Sequence, residues 1–317
     1  TDVAPTPAIT TTASRNLTTA PVVGTPFEVG GSPTGLTWND DGTALYVAKY
    51  SSDKVEAYSL STPYILSTAT AAGSYGTSNR FNGIMGVAWN DAGTKLYHVN
   101  YNDNGYLYVH EASTPYDLSS LEYQTRYNLA GDTGTYLGAI EFSPSGSKLY
   151  VGTYGNDEVI EYDLTKPYDV STREQTPSVL TVDPDGAEET PNGIEWLDSG
   201  RTLWVMGYTG GGVGVYDVTT PYDVSTATKT GEFELSEVST PGGIVWDPTM
   251  STVYVPDYYT SNDITAYEAP LQLETPSTFD AGVSKPIPGS SIARYNWTLA
   301  VTGGADQTYT GANISID

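Results

Sequence analysis

One stretch occurs five times in this chain, and its first copy reads Gly35-Leu36-Thr37-Trp38-Asn39-Asp40-Asp41-Gly42-Thr43-Ala44-Leu45-Tyr46-Val47. The aromatic residue that ends its first half recurs every 50 to 54 residues, as Trp38, Trp89, Phe142, Trp196 and Trp246. Eight positions further on come Tyr46, Tyr97, Tyr150, Trp204 and Tyr254, and twelve positions further on come Tyr50, Tyr101, Tyr154, Tyr208 and Tyr258. A period near fifty with a fixed internal spacing is typical of a repeat architecture.

Each repeat divides into four predicted strands. The first ends on the aromatic residue above, and a turn containing glycine leads to the second, which ends on the last tyrosine of the pattern. A polar loop precedes the third strand, which ends on Tyr58, His110, Tyr162, Tyr216 or Tyr267. In four copies a Pro-Tyr pair, first seen as Pro63-Tyr64, turns the chain outward before a looser fourth strand. Four antiparallel strands per repeat predict an all-β fold, a five-bladed β-propeller.

The fifth copy lacks a fourth strand of its own. A spare strand at Phe27–Val29 precedes the first repeat, and we expect it to complete the last blade and so remove two open sheet edges. The predicted organisation is an N-terminal arm at 1–24, the propeller at 25–270 and a β-rich tail at 271–317 for attachment or assembly. Strands are predicted in that tail at Tyr295–Val301 and Thr308–Ile316.

The composition limits the classes of partner. The 317 residues include 38 acidic and 13 basic side chains, for a formal charge of −25, and this charge disfavours nucleic acid. Such a surface is suited to high salt, where screening weakens self-repulsion. There are no cysteines for disulfides or thiolate sites, and no apolar run reaches the roughly 18 residues of a membrane span.

The chain starts at Thr1, which we interpret as processing, and we expect an extracellular location on a virion or cell surface.

The repeat resembles those of YVTN and lactonase-like propeller proteins. Its longer form, with Tyr-Ser-Leu-Ser-Thr-Pro-Tyr at 58–64 and Thr-Pro-Tyr-Asp-Val-Ser-Thr at 220–226, is similar to repeats in tail-fibre and spike proteins of viruses of marine and halophilic microbes. The resemblance covers 25–270 and implies a rigid, non-enzymatic virion or surface protein that binds a host receptor or glycan. Its tails would bind other virion or surface proteins, or a second copy in a homo-oligomer. The alternative is a secreted metal-dependent lactonase or a glycosidase that acts at the channel.

The first candidate site is the set of tyrosines at the end of the second strands. Tyr50, Tyr101, Tyr154, Tyr208 and Tyr258 should circle one end of the propeller, and Tyr259 extends the set. Tyrosine combines a large apolar surface with a hydroxyl group, a combination suited to carbohydrate. The competing interpretation is that each tyrosine is a wedge between blades. We predict the least regular part, around Tyr208 and Tyr258, as the ligand surface.

The second candidate is a pair of carboxylates. The residue before the first-strand aromatic reads Thr37, Ala88, Glu141, Glu195 and Val245 along the repeats. Since first strands lie nearest the axis, Glu141 and Glu195 should face each other in the channel, where they would share a proton or a cation such as Ca²⁺. The competing interpretation is two solvated channel residues. No cofactor is predicted to be required.

A third candidate follows from a narrower resemblance. Thr190-Pro191-Asn192-Gly193 resembles the Pro-Asn-Gly motif of gluconolactonases, where the Asn helps to hold a catalytic divalent metal, and Asp257 stands where a further ligand would fall. Those enzymes have six blades, and turn chemistry alone explains Asn-Gly. Glu141, Glu195 and Asp257 could also serve as the carboxylates of a five-bladed glycosidase.

Nucleophilic catalysis has little support in the sequence. The two histidines are His98, which follows Tyr97, and His110, a substitute for a core tyrosine, and no Gly-x-Ser-x-Gly elbow occurs. We therefore predict no catalytic residues and no enzyme activity. Glycosylation sequons occur at Asn16, Asn296 and Asn313, all of them in the tails.

Overall fold

The computed structural model describes residues 20–76, 83–101, 103–182, 189–209, 211–235, 237–249 and 251–268. At 13–14, 272–273, 296–299 and 307–310 it describes the course of the backbone strands. The chain divides into two compact units, one of residues 16–270 and the other of residues 1–15 together with 271–317.

The strands that precede the first repeat and those of blades 1 and 2 come first in the chain. They are β1 (Ala13–Ser14), β2 (Phe27–Glu28), β3 (Pro33–Trp38), β4 (Ala44–Lys49), β5 (Lys54–Leu60), β6 (Ala69–Gly76), β7 (Ile84–Trp89), β8 (Lys95–Asn100), β9 (Tyr106–Ala112) and β10 (Leu121–Asn128). Blade 1 has the order β3-β4-β5-β6 and blade 2 the order β7-β8-β9-β10. A single helical turn, α1 (Ala130–Thr133), leads to blade 3.

Blades 3 to 5 continue the same order. Their strands are β11 (Leu137–Phe142), β12 (Lys148–Thr153), β13 (Glu158–Asp163), β14 (Ser178–Thr181), β15 (Pro191–Leu197), β16 (Thr202–Gly207), β17 (Gly212–Val218), β18 (Ala227–Glu234), β19 (Val245–Trp246), β20 (Thr252–Pro256) and β21 (Asp263–Glu268). The last sheet has the order β19-β20-β21-β2, so the N-terminal strand completes blade 5. The prediction of a five-bladed propeller with four antiparallel strands per blade is confirmed.

The unit formed by the two ends of the chain is small. β1 pairs with β22 (Gln272–Leu273), and β23 (Asn296–Leu299) pairs antiparallel with β24 (Gln307–Thr310). Of the predicted sequons, Asn16 and Asn313 lie outside the described residues, and Asn296 is the first residue of β23. No helix among the described ranges is long and apolar enough to cross a membrane.

The hydrophobic core is divided among the blade interfaces. Each of five buried clusters combines side chains of two neighbouring blades, and the cluster between blades 5 and 1 contains Leu36, Val47 and Tyr254. The first strands pack against one another around the axis at glycine. A Cβ on Gly35 would lie 2.6 Å from the Met85 carbonyl oxygen, and one on Gly242 would lie 2.6 Å from that of Pro33. This close approach leaves only a narrow central channel.

A tyrosine hydroxyl fastens each blade to the next at four of the five junctions. The hydroxyl of Tyr97 in β8 donates to the carbonyl of Tyr168, the tyrosine of the next blade's Pro-Tyr pair, at 2.5 Å. The same bond joins Tyr46 to Tyr116, Tyr150 to Tyr222 and Tyr254 to Tyr64. The junction of blades 4 and 5 lacks it, because blade 5 has no Pro-Tyr pair and blade 4 carries Trp204 at the donor position. Trp204 and the missing Pro-Tyr pair of blade 5 are therefore consistent with each other, because one removes the donor and the other removes the acceptor of the same hydrogen bond.

The receiving tyrosine adopts a left-handed backbone, which is strained for a bulky residue. In blade 1 Tyr64 has φ of 61°, its N–H donates to the Gly42 carbonyl, and its ring covers Gly42. A Cβ on Gly42 would lie 2.2 Å from that ring, so the hairpin glycine and the Pro-Tyr pair depend on each other.

The N-terminal segment closes the ring through backbone and side-chain bonds. The Val23 N–H donates to Ala266 at 2.8 Å, and Phe27 pairs with Ile264 in β21. The buried Lys49 of blade 1 donates through Nζ to the carbonyls of Val29 and Gly30, both at 2.7 Å. Burial lowers the pKa of Lys49 to about 8, and the nearby Glu56 opposes part of this shift. Closure thus depends on both neighbouring blades.

Candidate functional site

The five repeated tyrosines form one continuous cycle of ring contacts around the axis, called here the tyrosine ring. Neighbouring ring centroids lie between 4.9 Å (Tyr101 and Tyr154) and 6.4 Å (Tyr50 and Tyr101) apart, and Tyr258 closes the cycle against Tyr50 at 5.3 Å. Tyr258 is buried and the other four are half-buried. Edge-on and tilted aromatic packing of this kind stabilises the cycle and narrows the channel at this end.

The backbone explains why all five copies keep tyrosine at this place. Four of the ring tyrosines directly follow a second strand and Tyr258 stands two residues beyond β20, and the N–H of each donates to a carbonyl that precedes the first strand of its own blade. Tyr50 donates to Ser32 at 3.0 Å, and Tyr258 donates to Thr240 at 2.8 Å. These contacts give the tyrosine ring a structural role, and its predicted role in ligand binding stays a prediction.

Two further tyrosines lie beside this ring and are exposed. Tyr259 is 62% exposed and its ring centroid lies 4.3 Å from that of Tyr258. Tyr136 is 41% exposed and contacts Tyr101 at 5.0 Å. The sequence analysis did not single out Tyr136, because it stands before the third repeat rather than at a repeated position.

The residues expected from the gluconolactonase motif also lie at this end. Asn192 is buried in β15 and its Nδ2 donates to the Tyr154 hydroxyl at 3.0 Å. The Asp257 carboxylate accepts from the Thr240 hydroxyl at 2.8 Å and from the Thr260 N–H at 2.7 Å. Asp257 therefore organises the turn that carries Tyr259.

Glu141 and Glu195 lie towards the other end of the first strands. Glu141 pairs in register with Tyr150, near the end of β11, and Glu195 stands three residues beyond Asn192 in β15. Three residues of strand span roughly 10 Å, so the structure separates the carboxylates from Asn192 and Asp257. Within the described part of the chain, no three His, Asp or Glu side chains are grouped as metal ligands. The proposed set does not fit the three protein donors of a catalytic metal site, and we derive no step through a metal.

The surroundings of both carboxyl groups raise their pKa values. Burial against the channel wall raises the pKa of Glu141, and the N–H of Phe142 opposes the shift only in part. Burial also raises the pKa of Glu195, the charge of Glu141 raises it further, and the N–H of Trp246 lowers it in part. The charge of Glu141 thus acts on Glu195, and the expectation that the two carboxyl groups share a proton or a cation stays a prediction.

A cavity of about 220 Å³ opens at the Glu141 end and is called here the Glu141 pocket. Its walls come from the ends of the first strands of blades 1 to 3, the turns that follow them, and the Pro-Tyr loops of blades 2 and 3. They include the aromatic residues Trp38, Trp89, Tyr116, Phe142 and Tyr168 and the acidic residues Asp40, Asp91 and Glu141. The Tyr116 hydroxyl donates to the Asp40 carboxylate and to the Asp91 carbonyl, which fixes this wall. No lysine or arginine is among the residues that line the cavity.

A hydrogen-bonded chain joins blades 1 and 2 and includes His110, which the sequence predicts to be a core residue. His98 Nδ1 lies 2.9 Å from Asn100 Oδ1, the two Nε2 atoms of His98 and His110 lie 3.0 Å apart, and the Tyr75 hydroxyl lies 3.1 Å from His110 Nδ1. Since Asn Oδ1 only accepts, one consistent proton order runs from Tyr75 through His110 and His98 to Asn100, with both imidazoles neutral. The sequence contained a sign of this chain, because the other four blades carry valine at the position of His98 and tyrosine at the position of His110.

This chain predicts loss of stability in acid. Burial lowers the pKa of His110 to about 4 and, with the charge of His110, lowers that of His98. Between an unfolded pKa near 6.5 and the lowered folded value, the unfolded state binds more protons, so stability falls as the pH falls, by about 3 kcal/mol for His110 alone. Restoring the repeat with His98→Val and His110→Tyr should flatten the urea-unfolding free energy between pH 6.5 and 4 relative to the wild type. Equal slopes in both proteins would contradict this assignment.

Comparisons with known proteins found similarity in fold and none to a known family. No family model matches the chain, and no curated protein matches it. Solved structures do match, among them a periplasmic gluconolactonase of Pseudomonas aeruginosa, with a TM-score of 0.49 and 15% identity over 71% of this chain and 64% of that one. Proteins assigned as 6-phosphogluconolactonases from Bacteroides fragilis (TM-score 0.47, 14% identity, 76% and 69% covered) and Bacteroides uniformis (0.43, 13%, 64% and 55%) match as well. The chain thus spans less than two thirds of the length of two of the three.

These matches correct one prediction. The expectation that the protein is not an enzyme is contradicted, because proteins named for lactonase activity are among those that match this chain in structure. The lactonase-like part of the resemblance is supported, and nothing in these matches bears on the virion part. At 13–15% identity the likeness shows the fold alone. In fold, the chain is a five-bladed β-propeller.

Proposed function

We propose that the protein is a hydrolase that opens a small, uncharged, sugar-derived lactone in the Glu141 pocket. The observation that carries the proposal is Glu141 itself, a carboxyl group with a raised pKa in the wall of an aromatic cavity. A group whose pKa is moved towards the working pH is suited to general acid–base catalysis. Proteins named as lactonases share this fold, but the proposal does not rest on that similarity.

Hydrolysis of a lactone needs one water and one group that moves a proton. Ionised Glu141 takes a proton from the water as its oxygen bonds to the lactone carbonyl carbon. When the carbon–oxygen bond of the ring breaks, the proton passes from Glu141 to the leaving ring oxygen, and the product is the open hydroxy acid. Because the pKa of Glu141 is raised, the ionised fraction grows as the pH increases, so the rate should rise from neutral to mildly alkaline pH.

The pocket wall indicates the size and charge of the substrate. Its volume of about 220 Å³ is below the roughly 300–1,000 Å³ of sites for drug-sized ligands, so one sugar ring is a suitable occupant. Indole and phenol rings provide stacking surfaces, and Asp40 and Asp91 provide acceptors for hydroxyl groups. A phosphate group would meet these carboxylates without a compensating cation. The proposed substrate therefore differs from the phosphorylated one in the names of two matched proteins.

A glycosidase is the less suitable alternative at this pocket. Glycoside hydrolysis uses one protonated and one ionised carboxyl group on either side of the bond. Burial favours the neutral form of both Glu141 and Glu195, and the charge of Glu141 adds to this effect at Glu195. Lactone opening requires only one of them to change its protonation state.

The substrate assay tests charge and reaction type together. Purified protein in molar salt is given glucono-δ-lactone, its 6-phosphate and a nitrophenyl glucoside, with spontaneous hydrolysis subtracted. We expect kcat/KM for the neutral lactone to exceed that for the phosphorylated lactone, since the phosphate would meet the exposed carboxylates of Asp40 and Asp91, and the ratio should increase when the salt is lowered to about 0.1 M and screening weakens. The Asp40→Asn, Asp91→Asn double variant should narrow this ratio. Preference for the phosphorylated lactone, or turnover of the glucoside alone, would refute the proposal.

The other predictions from sequence are not part of this proposal. A bound Ca²⁺, an extracellular location, a homo-oligomer, adaptation to high salt and partners for the two tails stay predictions.

A further inference from the structure

The exposed tyrosines and part of the tyrosine ring form one continuous aromatic surface. Ring contacts run from Tyr259 to Tyr258 at 4.3 Å, then to Tyr50 at 5.3 Å, to Tyr101 at 6.4 Å and to Tyr136 at 5.0 Å. We call these five residues the tyrosine arc. Its two ends are 62% and 41% exposed, and Tyr259 is the most exposed large hydrophobic side chain in the described part of the chain.

The exposed ends of the arc are held by backbone hydrogen bonds. The Tyr259 N–H donates to the Thr240 hydroxyl at 3.1 Å and to the Asp257 carboxylate at 3.2 Å. The Tyr136 carbonyl accepts from the Tyr154 N–H at 3.0 Å, which fixes it to the start of blade 3. An exposed aromatic side chain on a fixed backbone loses little conformational freedom when it stacks on a ligand.

Hydroxyl groups accompany the aromatic faces. Tyr258 packs edge-on against both Tyr50 and Tyr259, which groups three phenol rings at this end of the arc. Tyrosine hydroxyls both donate and accept, so this cluster can bond to the hydroxyls of a ligand. Asp53 and Asp157 follow ring tyrosines in the adjacent loops, and the chain carries a net charge of −25. An anionic ligand is therefore disfavoured.

We propose that the tyrosine arc is a non-catalytic binding surface for a neutral oligosaccharide, distinct from the Glu141 pocket. Apolar sugar faces would stack on Tyr136 and Tyr259, and sugar hydroxyls would bond to the tyrosine hydroxyls between them. The length of the arc, five rings in sequence, is suited to several linked sugars rather than to one. The arc lies where the second strands end, and the Glu141 pocket lies where the first strands end. The two surfaces are thus at opposite ends of the channel, and one chain can hold a glycan while it acts on a small lactone.

The test measures binding to an immobilised panel of neutral, sialylated and sulfated oligosaccharides at molar salt. The wild type should bind at least one neutral oligosaccharide of the panel. It should bind no sialylated or sulfated oligosaccharide more tightly than that one. The Tyr136→Ala, Tyr259→Ala double variant should lose about tenfold or more of that affinity. The matched control is Tyr123→Ala, which removes a 41% exposed tyrosine from β10, away from the arc, and should bind as the wild type does. Melting curves confirm that each variant is folded.

Two further variants separate stacking from hydrogen bonding and binding from catalysis. Tyr136→Phe, Tyr259→Phe should retain more affinity than the alanine pair, because the stacking faces remain. Glu141→Gln should bind the glycan as the wild type does, whatever its effect on lactone turnover. No binding to any neutral glycan, preference for an anionic one, or an equal loss in the Tyr123 control would overturn the inference.

Discussion

Replacing Glu141 by glutamine is expected to lower kcat for lactone hydrolysis by about 100-fold or more, because general acid–base catalysis typically contributes 10²–10⁴-fold. Glutamine keeps the size of the side chain and its hydrogen-bonding capacity, yet it cannot take up or release a proton in this pH range. The measurement is turnover of a neutral lactone at pH 8, corrected for spontaneous hydrolysis. The matched control is Glu111→Gln, an exposed glutamate on β9 outside the pocket. Turnover by Glu141→Gln within threefold of the wild type would contradict the proposed role.

The same variant has an expected effect on stability that does not depend on catalysis. A glutamate with a raised folded pKa binds its proton more tightly than in the unfolded chain, so its contribution is complete below an unfolded pKa near 4.5 and is lost as the pH rises through the folded value. Glu141→Gln removes that loss. Its melting temperature should therefore equal or exceed that of the wild type at pH 8, and the advantage should shrink towards pH 5. This result would distinguish an inactive folded protein from a damaged one.

Deleting residues 1–30 is expected to abolish the single cooperative unfolding transition. The deletion removes β2, leaves β21 as an open edge and frees Lys49, whose buried ammonium group then lacks its two carbonyl acceptors. Unpaired buried polar groups and open sheet edges both favour partial unfolding and aggregation. The measurements are calorimetry and size-exclusion chromatography at molar salt.

Single substitutions in the same segment distinguish the effect of ring closure by β2 from the effect of shortening the chain. Phe27→Ala should cost about 2 kcal/mol, since this half-buried ring packs edge-on against Tyr58 of blade 1 at 5.2 Å. Glu28→Gln, in the same strand but exposed, should melt as the wild type does. A deletion variant that unfolds in one transition at the wild-type temperature would show that the ring does not need this strand.

Much of the fold could be predicted from spacing alone. A first-strand aromatic, a hairpin glycine and a second-strand tyrosine at constant separations require one supersecondary unit in five copies, and Phe27 stands at the right distance before Trp38 to supply the missing strand. Repeats are predictable because each copy has the same local propensities and meets the same neighbours. Departures from the repeat were also visible in the sequence, as with Glu141 and Glu195, but their chemical consequences were not.

Those consequences depend on distances across blade junctions, which no local pattern contains. Only the tertiary structure shows that Tyr258 packs into a closed ring, and that Asn192 and Asp257 lie apart from the two glutamates. His98 and His110, twelve residues apart in sequence, meet at 3.0 Å because β8 and β9 place them diagonally on one face. The five copies of one stretch determined how many blades there are and how they close. Burial and register, which arise only when the blades pack, decided which side chains can share a proton, accept a bond or remain exposed to a ligand.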